Sequence, residues 1–349
     1  MVGDDFMDSK IIGIYTIQSI NYGNRLQNYA LQFVLEKHGF TVYSFSTSKN
    51  DISFKIKFKK LVKRLIGKDR RANFYRFNTN IHSISQYIDK TEINIKKDDY
   101  WAIIAGSDQI WNTTYQFVSI NAFLPIQHPR KISFSASFGV DAIGNDPEIV
   151  KCLNDFKALS VREESGAKII KELTGREATV LVDPTMLLTQ SEWRKIEKKP
   201  KGAADDGFIL TYFLSPKCKD AEKKLSEIRQ GRPVYELLNP NDSVAGIAGP
   251  SEFLWLFDHA DLILTDSFHA CVFSFLFNKP FVVYDRNWNE GNMNSRLETL
   301  LRKFSLERKY SYSGLENDIW EHDYTEGYKQ LEVEREKAIR FLKEALGVD

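Results

Sequence analysis

Asp261–Asp285 reads DLILTDSFHACVFSFLFNKPFVVYD. DLILTDS is a short β-type run ending in polar residues, FHACVFSFLFN a helical stretch apolar on every side, and KPFVVYD a second β-type run. A strand, a buried helix and a strand within 25 residues are a βαβ unit, the building block of a parallel sheet. Upstream, FILTYFLS (Phe208–Ser215) is a strand, KDAEKKLSEIRQ a helix, RPVYELL a strand and SEFLWLFDHA a helix. Four predicted strands interleaved with helices over Phe208–Asp285 describe one Rossmann-like half.

Similar grammar precedes it. KIIGIYTI (Lys10–Ile17) is a strand, followed by the loop NYGN and a helix from about Arg25 to His38 that Gly39 stops. Thr41–Phe45 is the next strand, and WAIIAG (Trp101–Gly106), KISFSASFG (Lys131–Gly139), ALSVRE (Ala158–Glu163) and TVLVDP (Thr179–Pro184) follow. ESGAKIIKELTG supplies a crossover helix between the last two. KKPKGAADDG (Lys198–Gly207), polar and without apolar period, is the expected linker. The expected fold class is α/β, two Rossmann-like domains facing a cleft. Residues 1–197 form the first, 208–325 the second, and 326–349 a charged helix packing back.

A length of 349 residues suits two domains. Lys plus Arg is 48 and Asp plus Glu 47, so the net charge is +1 and no global field draws in nucleic acid. The longest apolar run, Ala270–Phe277, is eight residues including Ser274, against the roughly 18 that a bilayer span needs. The start MVGDDFMDSK is acidic where a signal peptide is basic, so export is not expected. Cys152, Cys218 and Cys271 are too scattered for a disulfide framework or zinc site. A cytoplasmic setting is expected, with no metal and no cofactor.

In open α/β sheets ligands bind beyond the carboxyl ends of strands, so the residues following each strand are the site candidates. Asn21-Tyr22-Gly23-Asn24 is either a turn in which Asn24 caps the next helix or a set of backbone N–H groups aimed at a ligand. Gly106-Ser107-Asp108-Gln109-Ile110-Trp111-Asn112 offers polar groups for sugar hydroxyls and a Trp that either stacks on a sugar or enters the core. Arg162-Glu163-Glu164-Ser165 carries a guanidinium able to grip a carboxylate or phosphate, or to pair with its neighbouring glutamates. Asp183-Pro184-Thr185 closes the last strand of the first half, with Asp183 a turn cap. Thr265-Asp266-Ser267-Phe268-His269 sets an imidazole one turn into a helix, placed for proton transfer.

With INYGNRLQNYALQ, AGSDQIWN, SFSASFG, LSVREESG, VDPTMLL and LTDSFHA in this order, the sequence from about Ile11 to about Leu306 resembles the polysaccharide pyruvyl transferase family. The resemblance implies a glycosyltransferase-B type fold. It also implies transfer of the enolpyruvyl group of phosphoenolpyruvate onto a sugar of a bacterial surface polysaccharide or its lipid-linked precursor, as a pyruvate ketal. It assigns His269 as the acid that protonates the methylene carbon, and Arg162 as a ligand of the donor anion together with Ser267 and Phe268. Asn24, Asp108, Gln109, Trp111 and Asn112 would hold the acceptor; Gly23, Gly106, Ser107, Asp183 and Asp266 would support them. The chain departs from the family at Ser267, where better-characterised members have an arginine. Losing a cation at a buried anion costs about 2–5 kcal/mol, and Arg296, then Arg286, are the expected replacements.

Lys49–Arg71 holds ten Lys or Arg against two Asp, a net of +8. Its apolar residues between positions 54 and 66 share one helical face, which suits either an anionic membrane and a lipid diphosphate or ordinary core packing. A nucleotide-sugar glycosyltransferase of the same fold is the alternative function, and a non-catalytic sugar-binding protein a third.

Overall fold

The structure is a computed structural model. It describes residues 10–46, 69–89, 92–94, 96–116, 118–286, 295–311 and 319–348. The basic amphipathic stretch lies almost wholly outside these residues.

The chain divides into two compact units: residues 1–53, 79–187 and 336–349 in the first, 54–78 and 188–335 in the second. In the first unit, β1 (Ile11–Tyr15), β2 (Thr41–Ser46), β3 (Ser83–Asp89), β4 (Glu92–Asn94), β5 (Ala102–Ala105) and β6 (Lys131–Ser133) form one sheet in the order β4-β3-β2-β1-β5-β6. All pairings are parallel except β3 with β4. β1 is central and almost wholly buried, hence its apolar sequence. Gly13 interrupts it because a Cβ there would fall 2.1 Å from the Phe45 ring.

The expected strand Lys131–Gly139 stops after Ser133. Ser135 turns to φ 51, and only single bridges, Asp108 to Ala136 and Ala136 to Val161, carry the sheet onward. β7 (Ser160–Val161) and β8 (Thr179–Val180) are equally short and pair with each other. Helix α1 (Tyr22–Lys37) starts earlier than expected, and its cap is Asn21, whose side chain accepts from the Asn24 N–H. Asn24 is therefore not the cap. In the other described helices of this unit, α3 (Pro147–Asn154) packs with α4 (Glu164–Thr174).

The second unit holds β9 (Ile209–Tyr212), β10 (Val234–Leu237), β11 (Leu262–Thr265) and β12 (Phe281–Val283), all parallel, in the order β10-β9-β11-β12. Its helices are α2 (Arg70–Phe77), α5 (Gln190–Arg194), α6 (Lys219–Arg229), α7 (Pro250–His259), α8 (Phe268–Leu276) and α9 (Ser295–Lys303). α8 is buried along its whole length, as its uniform apolarity requires.

The division between units falls at Leu187 and Leu188, not in Lys198–Gly207. α5 already belongs to the second unit: Trp193 sits edge-on to Phe273, and Arg194 grips Asp258 with both arms at 2.7 and 2.9 Å. The charged tail is helical over Thr325–Leu346 (α10), with residues up to 335 in the second unit and the rest in the first. In the first unit Phe341 lies against Phe134, and Lys337 donates to the Val180 carbonyl.

Candidate functional site

A parallel sheet whose strand order reverses leaves a gap between two crossovers, and polar groups collect at the carboxyl side of that gap. In the first unit the reversal lies between β1 and β5. The loop after β1 brings Asn24 to the turn after β5, where its amide donates to Asp108 Oδ2; the Ser19 hydroxyl donates to Asn24 Oδ1. Behind them, the Gln27 amide donates to the Thr16 hydroxyl (2.8 Å), which donates to the Ser107 carbonyl (3.1 Å).

Arg162, leaving β7, joins this cluster. Its guanidinium reaches Asp183 Oδ2 at 2.7 Å, Asp108 Oδ1 at 3.5 Å and Glu163 Oε2 at 4.0 Å. Burial alone would lower the affinity of this arginine for its proton, but Asp183, Asp108 and Glu163 together hold it above the ordinary value. Stripping water from such an ion costs several kcal/mol, and the three carboxylates offset that cost. Asp183 also receives the Ser107 hydroxyl (3.0 Å), the Thr185 N–H (3.0 Å) and the Thr185 hydroxyl (2.7 Å). Glu163 Oε1 takes three donors: the Ser137 hydroxyl and the N–H groups of Phe138 and Gly139. One guanidinium thus faces three carboxylates within 4.0 Å. The sequence pattern showed the cation and not the excess of acid around it.

Asp108 has φ 69, a left-handed conformation that an Asp tolerates at modest cost. Its Oδ1 also accepts from its neighbour's N–H, that of Gln109, at 2.8 Å. Gln109 receives Tyr115 and Asn112, and Asn112 receives Thr114. Gly139 has φ +66, and a Cβ there would fall 2.7 Å from the Gln109 amide. Gly106 is hemmed in as well, since a Cβ would meet Thr16 at 3.1 Å. Gly23 is buried in the first turn of α1.

Trp111 overturns an expectation. It is 0% exposed, stacked on Phe123 (5.5 Å, 6°) with Phe138 and Phe156 around it, and its indole N–H donates to the Ala122 carbonyl at 3.0 Å. It is core and does not stack on a sugar. Asn112, 1% exposed, is turned onto its own loop and braces Gln109.

The second unit repeats the layout at its own reversal, between β9 and β11. Asp266, fully buried, accepts from the Leu214 N–H (2.7 Å), the Ser215 N–H (2.9 Å) and the Ser215 hydroxyl (2.6 Å). Thr265 donates to the Tyr212 carbonyl and receives the Ser267 N–H. Ser267 is the N-cap of α8 without a side-chain cap bond, and His269 follows in the first turn, edge-on to Phe268 at 5.3 Å. Arg286, after β12, donates to the carbonyl of Asp266 at 3.1 Å. Arg296 is buried in the first turn of α9.

The family model for polysaccharide pyruvyl transferase matches residues 21–287, which takes in Asn24, Asp108, Arg162 and Asp183 of the first unit and Asp266 and His269 of the second. The chain belongs to the polysaccharide pyruvyl transferase family. It is a transferase, and its family points to a sugar or polysaccharide acceptor. No curated protein matches the chain in sequence. Among solved structures it is similar to a protein from Listeria monocytogenes described as a UDP-N-acetylglucosamine 2-epimerase. That match has TM-score 0.50 at 11% identity, covering 97% of this chain and 89% of that one. It is also similar to Arabidopsis thaliana UGT89C1 complexed with UDP-L-rhamnose, with TM-score 0.51 at 10% identity, covering 97% and 98%. At such identity the likeness concerns the fold alone, two Rossmann-like domains of the glycosyltransferase-B type.

This transferase carries a further group of potential metal ligands in its second unit. Glu197, Asp258 and His259 bring ligand atoms within 4.8 Å of one another, which no sequence spacing announced. Asp258 and His259 precede β11, at the opposite end of that strand from His269. Arg194 already grips Asp258 through both oxygens, and His259 Nδ1 lies 2.9 Å from the Trp255 carbonyl. The trio is thus part of an ion-pair cluster. Burial, with Asp258 beside it, pushes the Glu197 carboxyl up from 4.5 to about 7 against the pull of Arg194. Among the described residues, no helix is long and apolar enough to cross a membrane.

Sequence reasoning passed over Ser215, which closes the predicted strand Phe208–Ser215, so the rule that selected the other strand ends would have selected it too.

Proposed function

We propose that this transferase moves the enolpyruvyl group of phosphoenolpyruvate onto two hydroxyls of a sugar, forming a pyruvate ketal on a bacterial surface polysaccharide or its lipid-linked precursor. The observation that supports it best is the arrangement at the β9–β11 reversal. An imidazole, the positive end of a fully buried helix and a guanidinium on the adjoining carbonyl gather there, matching a donor that needs a proton on carbon and cations on its carboxylate and phosphate.

His269 protonates the methylene carbon. Arg286 serves as the donor's cation in place of the arginine absent at Ser267, because its guanidinium is anchored on the residue adjoining Ser267; Arg296 is second choice. Asn24, Asp108 and Gln109 hold the acceptor at the β1–β5 reversal, with Ser107 and Asp183 bracing Asp108 through Arg162. The chemistry needs no metal and no cofactor. The +8 stretch Lys49–Arg71 supports peripheral contact with an anionic membrane. In liposome flotation, a variant with Lys57, Lys59, Lys60 and Lys63 changed to Glu should lose that contact.

The test is to incubate the protein with phosphoenolpyruvate and a panel of p-nitrophenyl glycosides, following phosphate release and product mass. Expected is a product heavier by the pyruvate ketal, lost in His269→Ala. Turnover of a nucleotide sugar without any phosphoenolpyruvate consumption would install the alternative, a glycosyltransferase.

A further inference from the structure

We infer that the groove between α6 and the loop after β10, within the second unit, is a further glycan-binding site that takes an uncharged stretch of saccharide. This deepens the reading above and rests on its acceptor being a polysaccharide, since only a polymer offers sugar residues beyond those that react.

The groove has a volume of about 670 Å³, within the roughly 300–1,000 Å³ of ordinary ligand sites. One wall is a single face of α6, where Glu222, Leu225, Ser226 and Arg229 recur at the helical period. The other is the end of β10, an outer strand of its sheet, and the residues that follow it.

That second wall is set before any ligand arrives. Asp242 Oδ2 accepts from the Glu236 N–H (2.7 Å), and its Oδ1 accepts from the N–H groups of Val244 (2.9 Å) and Ala245 (2.8 Å). Glu236 Oε2 receives the Asn239 amide at 2.8 Å and Oε1 receives the Lys217 ammonium, while Asn239 Oδ1 accepts from the Asn241 N–H at 3.0 Å. A Cβ on Gly246 would fall 2.1 Å from the Asn239 carbonyl oxygen, so the loop closes tightly on itself. Leu238 stands at φ 72, a left-handed conformation that a bulky residue holds only where its surroundings impose it. A loop fixed in this way loses little conformational entropy on binding.

What those bonds leave over selects the ligand. Both oxygens of Glu236 and both of Asp242 are engaged within the wall. The side chains of Glu222, Ser226, Arg229, Asn241 and Ser243 make no hydrogen bond or ion pair with any described residue. A carboxylate, a guanidinium, an amide and two hydroxyls therefore remain for a ligand. Such a mixture of donors and acceptors matches sugar hydroxyls, each of which donates and accepts, and Leu225, Val234 and Val244 give apolar wall for ring C–H groups. An anion is the poorer fit. The described lining sets two cations, Lys217 and Arg229, among three carboxylates, Glu222, Glu236 and Asp242, and Lys217 is already paired with Glu236. Holding a phosphate or a carboxylate calls for an excess of positive charge.

The test is an NMR titration of the whole chain with neutral hexasaccharides of glucose, of galactose and of mannose, and with inorganic pyrophosphate as the anionic probe. It is read at the side-chain amides of Asn239 and Asn241. At least one hexasaccharide should move both signals saturably, and pyrophosphate should move neither. Arg229→Ala combined with Asn241→Ala removes two exposed side chains that support nothing else in the described fold. The double variant should weaken that binding by at least about threefold, read at Asn239. Signals that none of the saccharides moves, signals that pyrophosphate moves, or a smaller change in the double variant each overturn the site. No phosphoenolpyruvate enters this measurement. A protein inactive with phosphoenolpyruvate whose amides respond to a hexasaccharide keeps the site and loses the donor assignment, whereas one active with phosphoenolpyruvate whose amides stay still loses the site alone.

Discussion

Asp266→Asn tests whether the reversal point of the second unit is built around an ionised carboxylate. The side chain is fully buried, and its two oxygens receive two backbone N–H groups and one hydroxyl at 2.6–2.9 Å. An amide of the same shape keeps one oxygen. If that oxygen stays with the Leu214 N–H, the new NH₂ faces the Ser215 N–H, and the Ser215 hydroxyl can turn to accept from it. One buried N–H is then stranded, at a cost of about 1–3 kcal/mol, and the surviving bonds lose their charge assistance, so the total is roughly 2–5 kcal/mol. For a unit of this size each kcal/mol is about 2–4 °C, which gives a fall in melting temperature of about 5–15 °C by scanning calorimetry. Arg286 hangs on the carbonyl of the same residue, so the KM for phosphoenolpyruvate should rise as well. A melting temperature within about 1 °C of wild type, with KM unchanged, would show that the three bonds do not organise this turn.

Trp111→Ala should cost about 3–5 kcal/mol of stability as a core truncation, while Trp111→Phe should leave the KM for the acceptor glycoside unchanged, read from urea melts and initial rates. Gly139→Ala combines a positive φ with a Cβ aimed at the Gln109 amide, so acceptor KM should rise with donor KM unaffected. Glu197 gives a pH signature. Its folded value, about 7, lies above its ordinary 4.5, so the folded state holds an extra proton between those values and stability falls as pH rises through that window. Glu197→Gln should flatten the slope and be more stable than wild type above pH 7, measured by urea midpoints at several pH values. Arg286→Ala should raise the KM for phosphoenolpyruvate by tenfold or more, whereas Arg296→Ala should raise it less.

Much of this was legible locally. The period of DLILTDSFHACVFSFLFNKPFVVYD identifies strand, buried helix and strand without reference to the rest of the chain, because each element's burial is written in its own apolar pattern. The rule that ligands gather after strands selected Asn24, Asp108, Arg162, Asp183, Asp266 and His269 for the same reason. Trp111 was not decidable in that way. Whether its ring meets a sugar or a core depends on Phe123, Phe138 and Phe156, which only the folded chain brings around it. The missed boundaries follow the same pattern: Lys198–Gly207 looks like a linker by composition, while Trp193 and Arg194, ahead of it, are already committed to the second unit by partners more than sixty residues away.

By itself, then, the order of residues determined the α/β class, the edge of each sheet on which to search, and the side chains to find there, since these depend on near neighbours. Tertiary structure alone decided who meets whom. Asn24 reaches Asp108 across 84 positions and Ser215 reaches Asp266 across 51, because the strand order reverses at those two gaps. It decided as well that Arg162 faces three acids. A side chain's charge is written in the sequence, but the field it sits in is a sum over groups that only folding brings within a few ångströms.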